Sequence, residues 1–231
     1  MATKKVTSLE VAKLAGVSQS AVSRVFTPGA SVSKKTNEKV RSAALELGYR
    51  PNILARSLIT GKSRIIGLVV SHLDNYFYPE ALELLSNALQ KKGYHVLVFM
   101  ASKTSGNIDD VVDEILDYQV DAIILASIAM SSNLANRCVA AGVPVMLFNR
   151  GQDDDRFSTV TSDNFLGGQK VARFLIAGGH KRIGYIAGWE GASTQHDREA
   201  GFIEELKQHG SSLYAREVGN FNQDEARQAT R

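Results

Sequence analysis

From Ile65 onward the chain alternates continuous apolar runs with amphipathic stretches, and that alternation leaves few architectures open to it. Residues 65–70 read Ile-Ile-Gly-Leu-Val-Val, apolar on both faces, as a strand buried between two layers must be. An amphipathic stretch at 79–92 follows, then a second apolar run at 94–100 and a helical stretch at 107–118. A third run at 121–126, a helix at 132–141 and a fourth run at 143–148 complete the series. Strands and helices that alternate through short connections predict a parallel sheet with helices on both faces. Around residues 159–164 the chain crosses into a second, similar unit with a helix at 165–177, a strand at 182–187 and a helix at 198–209. Residues 222–231 open another helix with no closing strand after it. The expected body is α/β, two parallel-sheet subdomains with the second incomplete.

The segment before this body has a different character. The first 64 residues hold 12 Lys/Arg against Glu10, Glu38 and Glu46, a net charge of +9. The remainder holds 15 basic and 21 acidic residues, a net of −6. A basic head on a mildly acidic body suits a polyanion-binding module attached to a regulatory domain. Thr7-Ser8-Leu9-Glu10 forms a capping box, and Leu9, Val11, Ala12, Leu14 and Ala15 then predict an apolar stripe on a first helix. Gly16 ends it, because glycine takes the left-handed conformation without steric cost. Ser18 caps a second helix from Gln19 to Phe26, and a glycine-containing turn between two short helices defines a helix-turn-helix. After the break at 27–30, Ser33 caps a third helix expected to turn Val40, Ala43, Ala44, Leu45 and Leu47 toward the other two. The expected head is small and all-α.

Val11-Ala12-Lys13-Leu14-Ala15-Gly16-Val17-Ser18, then Ala21-Val22-Ser23-Arg24-Val25, resembles the DNA-binding head of the lac-repressor/galactose-repressor family of bacterial transcriptional regulators. The resemblance continues through Val32-Ser33, Lys39-Val40, Leu47-Gly48-Tyr49, Pro51-Asn52 and Ala55-Arg56-Ser57-Leu58, and more loosely along the body. In such heads the start of the second helix enters the major groove. Gln19, Ser20 and Arg24 are therefore the candidate base readers. Glutamine suits adenine N6/N7, and arginine suits guanine O6/N7. Ser23, Thr36 and Tyr49 are expected to hold phosphates and set register. The family's hinge segment folds on the operator, pairs with its symmetry mate and inserts a leucine into the minor groove. Asn52, Ala55 and Leu58 take DNA-facing positions by that resemblance, with Leu58 matching the wedge.

The resemblance also implies a body shared with periplasmic sugar-binding proteins, a double-stranded operator as partner, a homodimer and a carbohydrate-like small-molecule effector. In open parallel sheets ligands bind beyond the carboxyl ends of the strands. Ser71 follows the first strand, Asn75 and Phe77 occupy the family's ligand-facing positions, and Asn149 follows the fourth strand where relatives grip a hydroxyl. In the run 193–202, Thr194 and Arg198 complete the set, with Arg198 matching an arginine that hydrogen-bonds ligand in many members. The expected divisions are a helix-turn-helix domain at 1–48, a hinge at 49–62, a first core subdomain at 63–162 and a partial second one at 163–231. The family's second subdomain continues beyond the point where this sequence stops, so the chain reads as a C-terminally truncated member.

Other chemistries are disfavoured. The single cysteine, Cys138, permits no disulfide framework, and the five histidines lack metal-ligand spacing. No G-x-G-x-x-G or Walker-type loop occurs, so neither a cofactor nor an enzymatic reaction is expected. Residues 1–7 have no apolar signal core and no run reaches membrane-span length, which predicts a cytoplasmic protein with no membrane partner, bound to the nucleoid when on DNA. The rival reading, a sugar-binding receptor without DNA function, should lack the basic head.

Overall fold

In the head, α1 (Ser8–Ala15), α2 (Gln19–Val25) and α3 (Lys34–Glu46) form where the caps place them. A computed structural model describes residues 6–27, 29–51, 61–71, 73, 77–101, 108–128, 131–152 and 154–231, which fall into two units, Met1–Ser63 and Arg64–Arg231. The Thr7 amide donates to the Glu10 carboxylate at 2.7 Å while Thr7 Oγ1 accepts from the Glu10 amide, so the capping box is reciprocal. Gly16 has φ +62° and its N–H reaches the carbonyls of Ala12 and Lys13. Ser18 and Ser33 each accept from the third backbone N–H of the helix they cap, at Ala21 and Thr36.

One core joins the three helices: Val11, Ala12, Ala15, Val22, Val25, Val40, Ala43 and Ala44, edged by Phe26, Leu47 and Tyr49. The apolar stripe is narrower than the sequence predicts. Leu9 and Leu14 stay about half exposed on its flanks, and Leu45 is 85% exposed. At about 100° per residue Leu45 lies roughly 140° around α3 from Val40, on the solvent side.

In the second unit, β1 (Ile65–Val70), α4 (Phe77–Lys91), β2 (His95–Met100), α5 (Ile108–Asp117), β3 (Ala122–Ala126), α6 (Ser132–Ala140), β4 (Val145–Phe148) and β5 (Ser158–Val160) build the first lobe. Its sheet runs β2-β1-β3-β4-β5 with every neighbouring pair parallel. Because side chains alternate across a strand, each central strand feeds two cores. Val69, Ile123, Leu125, Val145 and Leu147 pack with Val112 and Ile115 of α5 and Leu134, Ala135 and Cys138 of α6. Ile66, Leu68, Val70, Ile124 and Ala126 face the other way, against Tyr78, Leu82 and Leu89 of α4.

The second lobe consists of α7 (Asn164–Ala177), β6 (Gly184–Ala187), α8 (Ser193–Gln208), β7 (Ala215–Val218) and α9 (Gln223–Ala229), with β6 parallel to β7. Helices α7 and α8 touch backbone to backbone. A Cβ on Gly168 would stand 2.1 Å from the Arg198 carbonyl oxygen, and one on Gly201 would stand 2.0 Å from that of Phe165. Ala172, Ile183, Phe202 and Leu206 fill the core beside this crossing. Across it, Arg173 pairs in bidentate fashion with the Glu205 carboxylate at 2.8 and 2.9 Å. Helix α8 starts five residues earlier than its sequence suggests, and β7 is a strand where the sequence shows no apolar run.

Candidate functional site

The head presents one face of α2 to solvent. Val22 and Val25 are buried, whereas Gln19, Ser20, Ser23 and Arg24, spaced i, i+1, i+4 and i+5, are exposed together. Each is held. Gln19 Nε2 donates to Ser8 Oγ at 2.9 Å, the Ser20 and Ser18 hydroxyls are 2.9 Å apart, and Arg24 Nε reaches the Ser20 carbonyl at 3.4 Å. The Ser23 carbonyl accepts from the Thr27 hydroxyl at 2.9 Å. Lys13, Lys34, Lys35 and Lys39 are also exposed, and among the described residues no carboxylate pairs with them or with Arg24. An exposed row of fixed donors amid uncompensated cations can meet a polyanion without first breaking ion pairs.

Thr36 and Tyr49 have structural work in the head. The Thr36 hydroxyl lies 2.9 Å from that of Ser33 at the start of α3, and the Tyr49 ring packs at 5.9 Å against Phe26. Both remain partly exposed. Asn52, Ala55 and Leu58 lie outside the described residues, as does Asn75.

The first lobe's strands β1, β3 and β4 end side by side. The chain leaves β3 through Ser127 at φ +61° and β4 through Asn149 at φ +56°, left-handed turns that asparagine tolerates better than most residues. At the end of β1, Ser71 Oγ is buried with no hydrogen-bond partner among the described residues. Phe77, at the start of α4, stacks on Phe148 at 6.0 Å with planes 9° apart and meets Tyr78 edge-on at 5.2 Å. Asn149 Nδ2 donates to the Tyr78 hydroxyl at 3.0 Å. Phe77 and Asn149 are thus brought together through Tyr78 and Phe148. The two stacked rings also close one end of an apolar groove along α4, lined further by Ala81, Leu84 and Ala88.

Thr194 and Arg198 stand on α8 of the second lobe. Thr194 is buried in its first turn. Arg198 is half-buried, and its Nε donates to Asn164 Oδ1 at 2.8 Å. Asn164 is itself anchored by the Thr161 hydroxyl and the Ser162 carbonyl in the segment that crosses between the lobes.

A residue passed over in the sequence joins these two sets. Arg150 is only 9% exposed, donates from Nη1 to the Ser127 carbonyl and from Nη2 to the Gly191 carbonyl, and stacks 4.9 Å over Trp189. Beside it the Gly151 amide donates to Ser193 Oγ at 3.0 Å. The end of β4 is therefore tied directly to the loop that starts α8. Burial lowers the Arg150 pKa from the usual guanidinium value. An arginine following a strand-end asparagine was the available signal, but its burial depends on the second lobe folding over it.

Among the described residues no group of three or more His, Cys, Asp or Glu side chains is placed to hold a metal ion. Among the described residues, too, no helix is long and apolar enough to cross a membrane.

A helix-turn-helix head with an exposed polar face on its second helix, followed by two α/β lobes whose strand ends meet across a crossover, defines a regulator-type architecture. Residues 7–52 match the model for bacterial regulatory proteins of the lacI family, and residues 66–231 match a periplasmic binding protein domain. The chain belongs to the lacI family. It is 34% identical over 213 residues to the maltose regulon regulatory protein MalI of Escherichia coli, a match covering 92% of this chain and 62% of that protein. It is 31% identical to a sucrose operon repressor of Klebsiella pneumoniae, over 96% of this chain and 67% of that one. The crystal structure of the lac repressor dimer bound to operator and the anti-inducer ONPF superposes with a TM-score of 0.85 at 28% identity, covering 98% of this chain and 69% of that chain. The chain thus spans 62% to 69% of the length of these relatives.

Proposed function

We propose that this chain is the DNA-reading and effector-sensing part of a sequence-specific transcriptional repressor, whose operator binding is controlled by a small polar metabolite, a sugar or sugar derivative. The observation that carries this reading is the α2 face: Gln19, Ser20, Ser23 and Arg24 exposed together above a core made by Val22 and Val25. Gln19, Ser20 and Arg24 read base edges, while Ser23, Thr36 and Tyr49 fix register on phosphates. Asn52, Ala55 and Leu58 belong to a hinge at 49–62 between the helix-turn-helix at 1–48 and the core, and Leu58 wedges into the minor groove. Ser71, Asn75, Phe77 and Asn149 from the subdomain at 63–162, with Thr194 and Arg198 from that at 163–231, line the effector cleft. The buried Ser71 hydroxyl, without a partner among the described residues, and the Phe77 ring and Asn149 amide that both contact Tyr78 suit a polyhydroxylated ligand.

One recognition helix covers only a half-site, so the working form is a homodimer on a near-palindromic operator. The protein acts in the cytoplasm, on the nucleoid when bound to DNA, and needs no cofactor and catalyses no reaction. A sugar receptor without DNA function would have no use for the α2 face. Selection of duplexes from a randomised library by the chain tests the reading. Enrichment of a near-palindrome, released from the protein by one member of a panel of sugars, is the expected result. Absence of any enriched sequence would reject the DNA-reading assignment.

A further inference from the structure

Two helix beginnings meet in the head. Ser8 is the first residue of α1 and Gln19 the first residue of α2, and Gln19 Nε2 donates to Ser8 Oγ across 2.9 Å. A glutamine amide offers two N–H donors and one acceptor oxygen. Adenine in the major groove presents N7 as acceptor and N6 as donor, and so uses the oxygen and one N–H. One N–H is then left over, which the Ser8 hydroxyl can accept.

We propose that Ser8 is a positioning residue for base recognition, holding the Gln19 side chain at the exposed start of α2 so that its amide is already placed to meet an adenine edge. The inference rests on the reading of Gln19 as a base reader given above. An amide that turns over exchanges its donor and acceptor edges and no longer matches adenine. The Ser8 hydroxyl, able to accept from the amide nitrogen or donate to the amide oxygen, holds the side chain in place, and the adenine edge selects the orientation that is read. Its own place is fixed by the capping box one residue earlier, where the Thr7 amide and hydroxyl both donate to the Glu10 carboxylate at 2.7 and 2.9 Å. Specificity carried by α2 thus depends on a side chain of α1 without requiring that side chain to touch a base.

Base preferences of the full chain are measured on a randomised half-site library for wild type, Ser8→Ala, Ser8→Thr and Gln19→Ala. Ser8→Ala leaves the Thr7 cap in place and puts a better helix former at the position, so the head keeps its fold. Gln19→Ala is expected to flatten preference at one base pair. Ser8→Ala should weaken preference at that same base pair by about two- to tenfold, the worth of one hydrogen bond, and leave the other positions and the salt dependence unchanged. Ser8→Thr, which keeps the hydroxyl, should retain the wild-type profile. A Ser8→Ala profile equal to wild type, or a loss spread evenly over all positions, would overturn the positioning role. If Gln19→Ala changes no base preference, Gln19 is not a reader, and both the assignment and the role of Ser8 fall. The contact is also tested without DNA: the Gln19 side-chain amide proton resonances should shift in Ser8→Ala, and identical resonances would remove the contact whatever the DNA result.

Discussion

At the scale of single residues, Arg150 shows how a buried cation can be kept. A guanidinium taken out of water needs partners, and two carbonyls and an indole face supply them here. Those partners come from both lobes, so Arg150 contributes to their attachment. Arg150→Ala should lower the unfolding free energy by about 1.5–3 kcal/mol, the range for one hydrogen bond to a charged group. Urea denaturation measures it, and an unchanged midpoint and slope would mean that the bridge carries no load. The residue was legible in the sequence only as the neighbour of Asn149. The α2 face was legible in full, because a capped seven-residue helix with valines at two positions has only one way to bury them. Leu45 misled for the complementary reason. An apolar residue near the end of a helix raises the apparent width of its stripe, and only the neighbouring helices decide where that stripe stops.

At the scale of elements, the central strands were readable because continuous apolar runs have few other places to go. β1, β3 and β4 each supply both cores, as a strand covered on two sides must. β7 was not readable: Ala-Arg-Glu-Val carries no apolar signal, and β6 pairs with it through backbone groups that any sequence provides. The start of α8 was hidden as well, since Ala192 precedes it with no side-chain cap. The α7–α8 crossing turns on glycines that the sequence shows without a reason and the packing explains. Gly168→Ala should cost at least about 1–3 kcal/mol, because the added methyl meets a backbone oxygen that cannot rotate away. Thermal melting would test this, with Gly167→Ala, which meets nothing within 4 Å, as the control expected to change little.

The same crossing predicts a response to acid. The Arg173 guanidinium bonded to Glu205 holds that carboxyl below the usual carboxylate range. A carboxyl whose pKa is lower folded than unfolded adds stability above its unfolded pKa, and that contribution is lost as pH falls through the folded value. Stability should therefore drop on acidification, and the Glu205→Gln variant should show a shallower acid limb than wild type when unfolding is followed across that range. Equal slopes for the two proteins would show that the pair does not govern acid stability.

At the scale of the whole molecule, charge and architecture divide the chain in the same place. The head carries a net +9 within the first 64 residues and the remainder a net −6, and the two structural units separate between Ser63 and Arg64. This division explains why family membership could be read from the sequence while the effector could not. A helix-turn-helix is specified by local caps, a turn glycine and a short apolar set, all of which are contiguous. A ligand cleft is assembled from strand ends far apart in sequence, and at the strand ends of this chain only packing sets the orientation of side chains such as Arg150 and Tyr78. The proposed function has the head read DNA in two separable ways, sequence through α2 and charge through lysines. Binding of wild type, Arg24→Ala and Lys34→Ala to a selected duplex and to a scrambled one, measured by fluorescence anisotropy over a series of salt concentrations, tests it most directly. Affinity should fall steeply with salt for wild type on both duplexes. Arg24→Ala should lose about 1–3 kcal/mol on the selected duplex alone, and Lys34→Ala should weaken both duplexes alike with a shallower salt slope. Binding that ignores salt, or equal losses on both duplexes for Arg24→Ala, would show that the head does not read DNA in these two ways.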